Sequence, residues 1–336
     1  MVSPLSTIGP ARCGGEAAGP EQAAALVAAG AFVLDLRAAR DSEQDGHLPG
    51  ARRLPHEALA SAPAVVPEDG RPVLLVCEHG LRSRRAAAFL AEAGVPNVAW
   101  LAGGMARWPG ARETGPARAV GPSAWLLANA RLAPCGARTL DVACGRGRHA
   151  LLLASAGSLV RAVDRDVARV RWLDAVARRL RLPLEARVAD LEQDSACLGE
   201  EEWELVLVFR YLQRSLFPVL VRALRPGGVL LCETFTRGHG RRERPLEPEQ
   251  LLAPGELVEL VAPLEVVRQR EGELDGDQVA SVAARKPTRG SRRLATSHAS
   301  TARSVAPVPR TQRRPASARA AAPGAPAKST PGARKG

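Results

Sequence analysis

Val73-Leu74-Leu75-Val76-Cys77-Glu78-His79-Gly80-Leu81-Arg82-Ser83 decides how the N-terminal part of this chain folds. An apolar, partly β-branched run stops at a cysteine, as a short buried strand would. A polar loop with one glycine follows, then the Ala-rich helix-former run from Arg84 to Ala93. A thiol between a strand end and a helix start meets the N–H groups of the helix terminus, which favour its anion. Cys77 therefore reads as a nucleophile. Working outward, Glu21 to Ala29 reads as a helix closed by Gly30, and Phe32 to Leu36 as a strand. A turn-rich Gly46-His47-Leu48-Pro49-Gly50 comes next, and beyond Cys77 a strand Val98 to Leu101 is broken by Gly103-Gly104. This alternation predicts a small α/β domain with a parallel sheet.

A second βα series begins after a Pro/Gly/Ala/Arg stretch, Pro109 to Gly121. Thr139 to Val142 reads as a strand, and the loop Ala143-Cys144-Gly145-Arg146-Gly147 leads into a helix from His149. Strands follow at 159–164, 184–189, 204–209 and 229–234, with helices at 167–181 and 217–224. Asp275-Gly276-Asp277 joins two last strands as a hairpin. The pattern predicts a mostly parallel sheet with one antiparallel edge strand. The expected organisation is a flexible start at 1–20, a first domain at 21–110 and a linker at 111–121. A second domain at 122–286 and a disordered basic tail at 287–336 complete it.

A chain of 336 residues favours two domains over one core. Aromatic residues are 3% of the chain, so the cores must be built from Leu, Val and Ala. The net charge of +12 is not spread evenly: 12 of the 47 Lys and Arg lie from Lys286 onward, without one Asp or Glu. The other 35 balance the 35 acidic residues. The tail lacks the apolar content to fold. It reads as a solvated extension, with an RNA-docking or nuclear-import segment as the alternative. The six cysteines show no Cys-x-x-Cys pair, which speaks against a metal site and for a reducing compartment. No run approaches the ~18 apolar residues of a membrane helix, and the start has no signal architecture. The cytoplasm is the expected location, with the nucleus as the alternative that the tail offers.

The first domain resembles the rhodanese family of sulfurtransferases. Leu34-Asp35-Leu36-Arg37 matches that family's opening strand, and Gly46-His47-Leu48-Pro49-Gly50-Ala51 its Gly-His-Ile-Pro-Gly-Ala signature. Gly103-Gly104-Met105-Ala106-Arg107-Trp108 matches its closing Gly-Gly-x-x-x-Trp, and Cys77-x4-Arg82-Ser83 its active-site loop. The resemblance implies a persulfide on Cys77. Amides from Glu78, His79, Gly80 and Leu81 to Arg82 would cradle the sulfur, and Arg82 would orient an anionic donor. Related phosphatases and arsenate reductases use five residues before the arginine where this loop has four, so sulfur transfer is favoured. Glu78 should repel a dianionic donor such as thiosulfate. A binding-only rhodanese domain is the alternative. Asp35, Arg37, His47, Gly103, Gly104 and Trp108 read as structural.

The second domain resembles the class I S-adenosylmethionine-dependent methyltransferases, and in detail the tellurite-resistance-type small-molecule enzymes. Asp141 to His149, Val188-Ala189-Asp190-Leu191, Phe209 to Arg214, Leu224-Arg225-Pro226-Gly227-Gly228 and Glu233-Thr234-Phe235 carry the likeness, as does Arg244-Pro245 to Leu257. Ala143 replaces the first glycine of the family's loop. The implied fold is Rossmann-like with a C-terminal antiparallel hairpin, and the implied cofactor is S-adenosylmethionine. Asp141, Ala143, Cys144, Gly145 and Gly147 would hold its methionine part, Asp164 its ribose, and Asp190 with Leu191 its adenine. Arg210, Tyr211 and Arg214 would meet a small, anionic or chalcogen-containing acceptor. The expected function is a sulfurtransferase joined to a methyltransferase, with a small sulfur donor and methyl acceptor as partners. RNA modification docked by the tail, or a regulatory scaffold, are the alternatives.

Overall fold

The computed structural model of the chain describes residues 15–238, 246–274 and 276–288. The tail beyond 288, the first 14 residues, Arg244-Pro245 and Asp275 lie outside them. The described residues form one compact unit with two sheets.

The first sheet holds β1 (Glu16–Ala18), β2 (Phe32–Asp35), β3 (Arg52–Arg53), β4 (Val73–Val76), β5 (Val98–Leu101) and β6 (Arg118–Ala119). Their order is β1-β5-β4-β2-β3-β6, all parallel. Helices α1 (Pro20–Ala28), α2 (Ala39–Gln44), α3 (Ala62–Val65) and α4 (Leu81–Glu92) accompany it. The two-residue side-chain period of β4 sends Val73 and Leu75 to one core with Ala86 and Leu90, and Leu74 and Val76 to another with Leu26 and Trp108.

Three of these strands carry no hydrophobic pattern that a sequence could display. β1 lies within the stretch expected to be flexible. β6 lies within the expected linker, and an isolated bridge pairs Glu113 with His47. Backbone bonds hold them: Ala102 N–H donates to Ala18 O at 2.9 Å and Val120 N–H to Arg53 O at 2.9 Å. The segment after the first domain is thus fastened to its sheet.

The second sheet contains β7 (Arg138–Val142), β8 (Leu159–Asp164), β9 (Leu184–Val188), β10 (Trp203–Phe209), β11 (Leu224–Phe235), β12 (Glu265–Leu274) and β13 (Asp277–Arg285). Its helices are α5 (Ala124–Asn129), α6 (Arg148–Ser155), α7 (Val167–Arg179), α8 (Phe217–Ala223) and α9 (Glu256–Leu260). The order is β12-β13-β11-β10-β7-β8-β9. The antiparallel strand is not at the edge, as expected, but inside: β13 inserts between β11 and β12. Burial explains the order, because residues 279–284 are all buried while β12 is charged and mostly exposed.

The two sheets share an interface. The turn at His56–Ser61 and α3 pack on α6, and Ala93 belongs to the core formed by Trp125, Leu151 and Leu173. Arg146, within the glycine loop, donates to Val66 O, pairs with Glu68 at 3.0 Å and stacks on Trp172 at 3.9 Å. Arg179 donates to Ala93 O at 3.3 Å, at the end of α4. Among the described residues no helix is long and apolar enough to cross a membrane.

Candidate active sites

Cys77 follows β4 directly, and its side chain is buried. Gly80 precedes α4 with φ +84°, a left-handed conformation suited to glycine. That turn aims two amides at the sulfur: Gly80 N–H at 3.2 Å and Ser83 N–H at 3.3 Å from Sγ. The Ser83 hydroxyl lies 3.4 Å from Sγ and donates to Gly80 O at 3.1 Å. A negative charge on the sulfur is therefore met by donors of fixed position.

The glycine pair after β5 buttresses this loop. Met105 N–H donates to Cys77 O and Ala106 N–H to Glu78 O, both at 2.9 Å. A Cβ on Gly104 would stand 2.4 Å from Cys77 O and 2.3 Å from Glu78 O, so only glycine lets the segments meet. Arg37 is buried, pairs with Asp35 at 2.7 Å and donates to Gly46 O at 2.7 Å. Its other nitrogen lies 3.6 Å from the Glu78 carboxylate. The repulsion expected of Glu78 is thus partly neutralised from below.

Of the amides expected to cradle the sulfur, among the described residues only that of Gly80 bonds it; those of Glu78, His79, Leu81 and Arg82 do not. The second donor is Ser83, because the first helical turn returns to face the thiol three positions after Gly80. His79, Leu81 and Arg82 are exposed around the opening.

In the second domain, a cavity of about 410 Å³ lies at the carboxyl ends of β7, β8, β10 and β11. Ala143, Gly145, Asp164, Asp190, Leu191, Arg210 and Tyr211 all line it. Asp164 ties the loop to β8: its carboxylate accepts from Gly145 N–H at 2.7 Å and Asp166 N–H at 2.9 Å. Asp190 accepts from Glu192 N–H at 3.1 Å and from the Gln193 amide at 2.9 Å. Ala143 holds φ +52°, a strained value for a residue with a side chain.

Four expected residues stand elsewhere. Asp141 is buried behind the loop and accepts from Ala150 N–H at 3.2 Å, fixing the start of α6; burial pushes its carboxyl up to about 7. The Cys144 thiol lies 3.6 Å from Gly145 O, and burial raises it well above its ordinary range. Gly147 (φ +74°) faces the Leu173 side chain, which a Cβ would meet at 2.6 Å. It serves the packing of α6 on α7. Arg214 turns away from the cavity to pair with Glu256 and donates to Glu249 O at 2.6 Å and Leu251 O at 3.0 Å. It fastens the segment before α9. The sequence places it after β10 but says nothing of where its long side chain points.

Sequence reading gave Arg148, Ser123 and Glu233 no role of their own, and treated His149 only as a helix-start residue. Ser123 N–H donates to His149 Nε2 at 3.1 Å, so that nitrogen is an acceptor in a neutral ring. Burial, then Arg148 and Arg210, hold His149 well below its ordinary range. Glu233 is buried and accepts from Ser123, Ser281 and Arg270, each at 2.8 Å. Tyr211 donates to Gln213 Oε1 at 2.5 Å, and burial pushes its phenol up to about 12. The legible signal was position: Arg148 opens α6, and Glu233 sits in the Glu-Thr-Phe segment.

Residues 19–111 match the rhodanese-like domain family, and residues 124–230 match the tellurite resistance protein TehB family. A thiosulfate sulfurtransferase GlpE of Stutzerimonas stutzeri is 38% identical over 89 residues, which cover 26% of this chain and 80% of that protein. Hemagglutinin 1 of Eikenella corrodens is 38% identical over 104 residues, 29% of this chain; the chain spans 33% of its length. The crystal structure of TehB from Haemophilus influenzae aligns at 21% identity over 48% of this chain and 61% of that one, with a TM-score of 0.40. The chain therefore belongs to the rhodanese family through residues 19–111, and fused to that domain it carries a TehB-type S-adenosylmethionine-dependent methyltransferase domain matched over residues 124–230.

Proposed function

We propose that Cys77 carries a sulfane sulfur as a persulfide, and that the second domain methylates a small anionic acceptor, such as an oxyanion or anion of sulfur or another chalcogen. The carrying observation for the first half is the pair of amides on Cys77 Sγ at 3.2 and 3.3 Å. The thiolate attacks the outer sulfur of a donor such as thiosulfate; the S–S bond forms, and sulfite leaves with the electron pair of the cleaved bond. An acceptor nucleophile later takes the sulfur and returns the thiolate. Gly80 and Ser83 hold the anion in both resting states.

For the second half, the carrying observation is the cavity that joins Asp164, Asp190 and Leu191 to Arg210. Its size fits a nucleoside-sized ligand. Asp164 suits ribose hydroxyls, and Leu191 with Asp190 suits an adenine face and amino group. Ala143 and Gly145 of the glycine loop line the same cavity. When bound, S-adenosylmethionine supplies an electrophilic methyl on a sulfonium. The chain contributes orientation and water exclusion. Tyr211 stays protonated, and His149 Nε2 is taken by Ser123. Neither serves as a base. This suits an acceptor that arrives already nucleophilic, and Arg210 offers it a cation at the cavity wall.

Calorimetric titration with S-adenosylmethionine tests the donor site: one molecule bound per chain is expected, lost in Asp164→Ala. No binding by the wild-type chain would sink it. Methyl transfer to thiosulfate-derived sulfur and to tellurite then tests the acceptor class.

A further inference from the structure

A second cavity, of about 230 Å³, lies where the two domains meet. Arg53 of β3, Arg148 of α6 and Arg210 line it together with Ser123, Glu233 and Leu274. Among the described residues Arg210 alone lines both this cavity and the methyl-donor cavity. It therefore stands between them.

The charges here do not cancel. Glu233 is already matched by Arg270 at 2.8 Å and two serine hydroxyls. Arg210 lies 3.5 Å from Asp277. Arg53 and Arg148 make no side-chain hydrogen bond or ion pair among the described residues, and the Arg53 Nε is buried without a partner. Burial and the neighbouring Arg210 push the Arg148 guanidinium down to about 10. Both guanidinium groups are partly buried, and the Arg53 Nε left without an acceptor carries a desolvation cost that an anion would relieve. Arginine also presents a planar fork matched to oxyanions.

Register explains how the rhodanese domain reaches this place. Arg53 pairs across β2 with Asp35, and Asp35 across β4 with Val76, the residue before Cys77. Arg53 thus lies at the same edge of the sheet as the thiol, two strands away, or roughly 10 Å at the usual strand spacing. The edge that presents Cys77 also supplies one wall of the methyltransferase's outer cavity.

We propose that this cavity is the subsite for the anionic group of the methyl acceptor, and that Arg53 makes the rhodanese domain a structural part of the methyltransferase's substrate site. The acceptor's anion lies against Arg53 and Arg148, with its nucleophilic end directed past Arg210 toward the methyl donor. This rests on the methyl-transfer reading above. The rhodanese domain is then a specificity element for the second reaction as well as a sulfur carrier.

Inorganic phosphate serves as an inert probe, titrated by calorimetry into the full chain saturated with S-adenosylhomocysteine. The expected result is one phosphate per chain. Arg53→Ala and Arg148→Ala each weaken it at least tenfold, Arg53→Lys retains part, and Arg84→Ala on the exposed side of α4 changes nothing. The melting temperature of Arg53→Ala should equal or exceed that of the wild type, because a partly buried cation whose Nε lacks a partner is removed; a packing role would lower it. No phosphate bound by the wild type, or equal affinity in Arg53→Ala and Arg148→Ala, overturns the subsite. Methyl transfer that persists without such a site overturns the subsite alone, whereas phosphate binding without S-adenosylmethionine binding overturns the methyl-donor reading and leaves the anion site standing.

Discussion

At the scale of single residues, both sites depend on backbone conformations that few side chains tolerate. Gly104→Ala would drive a methyl into the Cys77 and Glu78 carbonyls. The loop must then move, and the two amides lose their aim at Sγ. Sulfur transfer from thiosulfate should fall at least 100-fold, while the second domain binds S-adenosylmethionine as before; a steady-state cyanide assay beside a calorimetric titration checks both. Ala143 shows the converse. Its left-handed φ of +52° costs about 1 kcal/mol. Ala143→Gly should raise stability toward denaturant by up to that amount, less the entropy glycine adds to the unfolded chain.

Asp141 gives a pH signature at the same scale. Its carboxyl is raised from 3.8 to about 7 by burial. The native state therefore holds a proton that the unfolded chain has released, and stability falls as pH climbs from about 4 to about 7. Asp141→Asn keeps an acceptor for Ala150 N–H and removes the titration. The variant should lose that downward slope and gain on the wild type above pH 7 in a series of thermal melts. A parallel slope in both proteins would count against the buried carboxyl.

At the scale of elements, the glycine loop between β7 and α6 is held from outside its own domain. Arg146 reaches Val66 and Glu68 of the rhodanese domain while stacking on Trp172 of α7. An ion pair to an exposed carboxylate contributes less than about 1 kcal/mol, and a cation over an indole about 0.5–1. Arg146→Ala should thus weaken S-adenosylmethionine binding roughly three- to tenfold, and Glu68→Ala less, as read by calorimetry. The elements themselves were legible where side chains carry period: β4, β7, β8, β10 and β11 announce themselves by buried β-branched runs. β1, β3 and β6 do not, because two or three residues held by backbone bonds leave no pattern. The place of β13 inside the sheet was not legible either, since a hairpin signal does not say which arm pairs inward.

At the scale of the whole molecule, the placement of Cys77 between strand and helix was readable because strand, loop and helix lie consecutively. Asp164, Asp190 and Leu191 in the lining of the candidate cavity were readable for a similar reason, since they sit at or just past the ends of strands, whereas Asp141, Cys144 and Gly147 fall outside it. Arg53, Arg148 and Glu233 were not readable: Arg148 and Glu233 sit on separate elements of the second domain, and Arg53 joins them only across the interface with the first. Arg214 misled because the direction of a long side chain is set by its partner, here Glu256. The shared interface makes one body of two sites.

Native mass spectrometry of the full chain, after a sulfur donor and then S-adenosylmethionine, tests this most directly. One population should carry the mass of a single added sulfur together with a bound S-adenosylmethionine, and Cys77→Ser should keep only the second. A chain that takes up neither, or a Cys77→Ser chain that still gains the sulfur, would contradict it.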